Sequence, residues 1–117
     1  MHDYRKLRVW QEAIELAVEV YSLTHTFPTD ERFNLTSQLN RAGVSVASNI
    51  GEGAGRGSNG EFILFLGYAN GSCIEVLTQA IIAERLNFGQ GALRQQVINR
   101  AEAIQRQLFS LIKTLRS

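Results

Sequence analysis

Two sets of polar residues have the types and spacing that chemistry would use. Gln38, Arg41, Ser45, Asn49, Glu52 and Arg56 are separated by steps of three and four, which puts them on one face of a helix. Glu61, Tyr68, Ser72, Glu75 and Gln79 fall on one side of a following segment in the same way. Brought together, Asn49, Glu52, Arg56, Ser72 and Glu75 would offer two carboxylates, a guanidinium, an amide and a hydroxyl, an inventory suited to acid–base work. They lack the nucleophile–base–orienter arrangement, or a set of metal ligands, that marks an active site. The structural reading therefore ranks first. Arg41, Asn49, Glu52, Arg56, Ser72 and Glu75 are expected to form a polar network, with the arginines pairing to Glu52, Glu61 or Glu75, that fixes helix register or a contact between subunits. No catalytic, cofactor or metal residue is assigned.

Other candidates for chemistry fail on context. Gly55-Arg56-Gly57-Ser58-Asn59-Gly60 spells G-x-G-x-x-G, but no strand precedes it and no acidic residue follows about 20 positions on, as dinucleotide binding requires. Glycine here reads as helix termination and reversal. The amides opening the next helix, with Arg56 beside them, leave a weaker option of anion binding. His2 and His25 have no partners at metal spacing, and His2 falls in a terminus expected to fray. Cys73, the single cysteine, lies on an apolar stripe and reads as a small buried hydrophobe.

Basic residues are unevenly spread. The chain has 12 Lys and Arg against 11 Asp and Glu, a formal net charge of +1, too balanced to announce nucleic acid or membrane by itself. Yet the last segment holds Arg94, Arg100, Arg106, Lys113 and Arg116 against Glu102 alone, while Glu12, Glu15 and Glu19 make much of the first one acidic. Arg106 and Lys113 lie opposite the apolar stripe, flanked by Arg94 and Arg116. Such a face is commonly just solvated, with Glu102 and Arg106 as an i,i+4 pair. The sharper reading takes Arg94, Arg106, Lys113 and Arg116 as nucleic-acid contacts, repeated with every subunit of an assembly.

The elements that must position these groups are all helical. In 117 residues there is room for one domain, 44% of them hydrophobic and without an apolar run near the ~18 residues of a membrane span. One cysteine excludes an intramolecular disulfide, and one proline favours long helices. The opening residues do not resemble a secretory signal, so a cytoplasmic protein is expected, with no membrane partner. Apolar stripes run through Leu7, Trp10, Ile14, Ala17, Tyr21 and Thr24, then Leu35, Leu39, Ala42, Val46, Ile50 and Gly53. They continue through Phe62, Leu66, Ala69, Cys73, Val76, Ala80 and Ala83, and through Leu93, Val97, Ala101, Ile104, Leu108, Leu111 and Leu115. Phe27-Pro28-Thr29, the glycine cluster and Phe88-Gly89-Gln90-Gly91 separate them, and Ser58 with Glu61 reads as a capping box. The spacing predicts helices over 5–25, 30–56, 59–87 and 92–115 in one domain, 1–117. Short connections make neighbours antiparallel, giving an all-α, up-down-up-down four-helix bundle. The third helix also carries Ile63, Leu64, Phe65, Ile74, Leu77, Ile81 and Ile82, an apolar surplus that points to an interface with another copy.

The residues also match a family pattern. Leu7, Val9-Trp10-Gln11, Ala13, Tyr21, Thr24, Phe27-Pro28, Glu31, Phe33, Leu35 and Gln38 are followed by Arg41-Ala42, Ser45, Asn49-Ile50, Glu52-Gly53, Arg56 and Ser58. Glu61-Phe62, Phe65-Leu66, Ala69, Gly71-Ser72 and Glu75 complete the run. In order and spacing this resembles the four-helix-bundle proteins related to the 23S ribosomal RNA intervening-sequence proteins, over most of the chain and less beyond the third helix. The resemblance implies a bacterial homopentamer with no established enzyme activity and no cofactor. It also implies kinship with the accessory variability determinant of diversity-generating retroelements, a basic pentamer that binds nucleic acid and a reverse transcriptase. RNA, DNA or a reverse-transcriptase-type protein are thus the partners it suggests besides the chain itself. Asn40 stands where relatives often have a second Arg, Gly43 and Gly51 where they have alanines, and Ala47 where proline is frequent. The expected function is a non-enzymatic ring that binds nucleic acid non-specifically; the alternative is a protein-binding scaffold, and an enzyme of unknown reaction comes third.

Overall fold

Each segment with a 3.6-residue period folds as a helix. The computed structural model describes residues 1–117 as α1 (Arg8–Thr24), α2 (Leu35–Ala54), α3 (Asn59–Arg85) and α4 (Gly91–Arg116), with short 3-10 turns at Tyr4–Lys6 and Thr29–Glu31 and no strand. Several ends differ from expectation. Residues 5 and 6 sit in the first 3-10 turn, which Asp3 caps at the Arg5 amide. The second helix starts at Leu35 rather than 30, because Asn34 adopts φ −114° and ψ −109°, outside the helical region. It stops at Ala54, and α3 stops at Arg85, beyond which Asn87 turns to a positive φ of 59°.

Contacts run α1–α2, α2–α3, α3–α4 and α1–α4, and no diagonal pair of helices meets. With short connections this is the antiparallel four-helix bundle. Its long dimension of 45 Å accommodates α3, whose 27 residues span roughly 40 Å at 1.5 Å each. No helix is long and apolar enough to cross a membrane.

A single cluster of 22 buried residues forms the core. The stripes expected on α2, α3 and α4 face it, with Leu35, Leu93, Leu111 and Leu115 partly buried at its margins. On α1 the expected stripe is displaced. The core face is Val9, Ala13, Leu16, Val20 and Leu23, continued by Phe27, whereas Ile14 and Tyr21 are exposed and Trp10 is half-buried. Both sets satisfy a 3.6 period, so periodicity cannot choose between them. Packing does: a Cβ on Gly43 would lie 3.2 Å from Val20, so where Gly43 meets Val20 α1 and α2 approach too closely for a large ring. Trp10 lies half-buried at the edge of the core, its indole Nε1 3.4 Å from where a Cβ on Gly51 would sit, and Tyr21 is exposed. Thr24 is buried as expected and donates to the Asn40 side-chain oxygen at 2.7 Å. Asn40 therefore ties α2 to α1.

The ends of the bundle are closed by specific contacts. Gly53 lets α2 meet α3, since a Cβ there would come within 2.6 Å of Phe65. Gly89 has φ +78° and lies against Phe27, so both backbone conformation and space require glycine. The Gln90 amide donates to the Thr26 hydroxyl at 2.9 Å, which joins the two loops at that end. At the other end His2 is not frayed: its amide donates to the Ala54 carbonyl at 2.8 Å and its ring lies 5.0 Å from Phe62. Ser58 caps α3 by accepting from the Glu61 amide at 3.2 Å. The other half of the capping box differs, because the Glu61 carboxylate takes the Ser58 hydroxyl, at 3.4 Å, rather than the Ser58 amide.

Candidate functional site

The polar stripe of α2 and α3 does not close into a buried network within one chain. Glu52 and Arg56 pair at 3.1 Å as an i,i+4 contact, with 55% and 40% of their side chains exposed. Arg56 also lies over the Phe65 ring at 4.6 Å. Arg56 thus contacts Glu52 and Phe65 rather than standing free beside the α3 amides. Asn49 donates to the Ser45 carbonyl one turn back, at 2.9 Å. Ser72 is buried. Arg41 and Glu75 are exposed, line one groove with Gln38, Ser45 and Gln79, and form no ion pair with each other. Helix geometry puts the residues on facing sides, as their spacing implies, but the groove between α2 and α3 stays open. Of the partners expected for the arginines, Arg56 takes Glu52 on its own helix, and no pair forms across the groove.

The strongest polar contact lies on the opposite seam. Arg100 of α4 donates to Glu12 at 2.6 Å and, through two nitrogens, to Glu19 at 2.6 and 3.2 Å. Its hydrogen bond to Glu19 raises the guanidinium pKa above its ordinary value; burial opposes this, while the charges of Glu19, Glu12 and Glu15 reinforce it. The sequence contained a signal for this clamp. Glu12 and Glu19 are seven residues apart, hence on one face of α1, opposite a basic α4. Reading the acidic and basic segments separately concealed the pairing.

The basic residues of α4 accordingly divide into two groups. Arg94 donates to the carbonyls of Phe88 and Gly89, both at 2.6 Å, so it secures the α3–α4 loop. Both bonds use Nη1, while Nε is buried without a partner, so of the four residues expected to contact nucleic acid Arg94 is the one held by its own chain. Arg106, Lys113 and Arg116 are exposed and take part in no ion pair, and Glu102 leaves Arg106 unpaired. These three share the outer face of α4 with Phe109, which is 58% exposed and which charge-based reading passed over.

Cys73 is buried, and that burial pushes its thiol from 9.0 to about 12. It is protonated at neutral pH and shielded from reagents. No group of three or more His, Cys, Asp or Glu side chains is placed to hold a metal ion. On α3, Leu64, Ile74, Ile81 and Ile82 project from the bundle roughly half-exposed, and Ile14, Val18 and Tyr21 do so on α1.

Helix topology and surface define the class first: an antiparallel four-helix bundle with an apolar surplus on its flanks and one basic outer face. The chain belongs to the 23S rRNA-intervening sequence protein family, whose pattern matches residues 5–110. It is similar in structure to a solved protein of unknown function from the S23 ribosomal protein family of Bacteroides thetaiotaomicron. The two are 24% identical over 90% of this chain and 98% of that one, with a TM-score of 0.82, a likeness of fold. No curated protein matches the sequence.

Proposed function

We propose that this protein is a non-enzymatic, ring-forming helical bundle that binds RNA or other nucleic acid, without sequence preference, through the outer face of α4. The observation that carries the reading is the set Arg106, Lys113 and Arg116, exposed and without carboxylate partners on one face. Unpaired cations on a helix face suit phosphates, which attract them irrespective of base sequence. The ring rests on the exposed aliphatic residues of α3 and α1, and its number, five, comes from the family resemblance. In such a ring the basic face recurs with every protomer, so a chain of +1 net charge still presents repeated positive surfaces. The same aliphatic residues favour a second reading, a protein-binding scaffold or adaptor, for instance one that holds a reverse-transcriptase-type partner.

Light scattering on the purified protein tests the assembly, with a mass near five chains expected and a monomer at micromolar concentration contradicting the ring. Fluorescence anisotropy with labelled RNAs of unrelated sequence tests the ligand. Similar affinities that fall steeply as salt rises are expected, together with a loss in the Arg106→Gln/Lys113→Gln variant. If no association appears even at low salt, where electrostatic attraction is strongest, the scaffold reading replaces this one.

A further inference from the structure

Phe109 is the residue on the basic face that electrostatics does not explain. It is three residues from Arg106, four from Lys113 and seven from Arg116, distances at which helical side chains are neighbours on one face. The flanks of α4 are otherwise occupied. Gln105 bonds Asn70 of α3 at 2.9 Å and the Leu115 carbonyl accepts from Asn59, while Gln107, Ser110, Leu111 and Thr114 line a groove against Leu7, Arg8 and Val9. Arg106, Phe109 and Lys113 lie between those flanks and face outward, with Glu102, the one acidic residue of α4, on the same face towards its N-terminus.

The ring of Phe109 is also unoccupied. Among the other exposed aromatic side chains, Phe33 has Arg32 over its face at 4.9 Å and Tyr68 packs edge-on against Phe65 at 5.4 Å, while Tyr21 on α1 is, like Phe109, without such a partner but lies away from the basic face of α4. Phe109 has neither a cation nor an aromatic partner within the chain. An open aromatic face bordered by unpaired cations suits a strand whose bases are splayed out: the cations follow the phosphates and the ring takes a base. In a duplex the bases are stacked on each other and their faces are out of reach, so a surface phenylalanine gains nothing there.

We infer that Phe109 is a base-stacking platform, and that the preferred ligand of the α4 face is single-stranded rather than duplex nucleic acid. This rests on the nucleic-acid reading of that face and specifies its substrate class. Stacking tolerates every base, so the platform adds affinity without adding sequence preference.

The test compares Phe109→Ala and Phe109→Trp with the unaltered full chain, using labelled oligouridine and a labelled RNA duplex in anisotropy titrations, with light scattering on each variant. Phe109→Ala is expected to weaken oligouridine binding about 5- to 150-fold, the range of one base–aromatic stack. Duplex binding should be nearly unchanged, and the salt slope preserved, because no phosphate contact is lost. Phe109→Trp should retain or improve oligouridine binding. Equal losses on strand and duplex, an unchanged oligouridine affinity, or a changed assembly mass would each overturn the platform while leaving phosphate binding intact. If the unaltered chain binds neither probe, the nucleic-acid reading itself falls and the platform falls with it.

Discussion

In the N-terminal half of α4 the two arginines are held by the fold, Arg94 by loop carbonyls and Arg100 by Glu12 and Glu19. In the C-terminal half Arg106, Lys113 and Arg116 face solvent with no partner. One helix thus applies the same chemistry in two ways. Where a cation meets carboxylates or carbonyls of the chain, it fixes α4 against α1 or against its own loop, and the donors so engaged are turned inward. Where it meets none, its field extends outward. A count of basic residues overstates the electropositive surface, since two of the five on α4 are committed internally.

The difference can be broken by mutation, and the largest effect belongs to the clamp. Arg100→Met should destabilise by roughly 2–3 kcal/mol, because it strands the nearly buried Glu19 beside Glu12; partial exposure of the triad keeps the loss below that of a fully buried pair. Urea denaturation checks this, and Glu19→Gln in the same background should recover part of the loss. Arg94→Ala should cost about 1–2 kcal/mol through the two lost loop hydrogen bonds, read as a lowered denaturation midpoint. On the outer half, Arg106→Gln/Lys113→Gln should stay within about 0.5 kcal/mol of the unaltered chain, as surface substitutions do. Glu52→Ala belongs with the small effects, since its exposed i,i+4 pair with Arg56 is worth about 0.3–0.5 kcal/mol. A loss of several kcal/mol there would instead show that the α2–α3 stripe is buried in the assembly.

Much of this architecture was legible before any coordinates. Three of the four core stripes follow from spacing alone, and the Ser58 cap is written in Ser58-Asn59-Gly60-Glu61. The stripe of α1 was not legible, because Leu7–Trp10–Ile14–Tyr21 and Val9–Ala13–Leu16–Val20 obey the same period. Only the close approach at Gly43 selects the smaller side chains. Site chemistry was less legible for a similar reason. Spacing places Arg41 and Glu75 on faces that turn toward each other, but it does not specify the width of the groove between two helices. Contacts between segments far apart in sequence, such as Arg100 with Glu12, depend on which flank of α4 meets α1. Phe109 could have been noticed from its position between Arg106 and Lys113; attention to charge alone obscured it.

The division of α4 is tested most directly by the salt dependence of RNA affinity in two charge-removing variants, Arg94→Gln and Arg106→Gln/Lys113→Gln. A cation that neutralises a phosphate contributes about 0.7 to the slope of log affinity against log salt for a single strand. The Arg106→Gln/Lys113→Gln variant should therefore bind more weakly with a visibly flatter slope, while Arg94→Gln, though less stable, should keep the slope of the unaltered chain. Equal flattening in both variants, or none in either, would contradict the distinction between held and free charges.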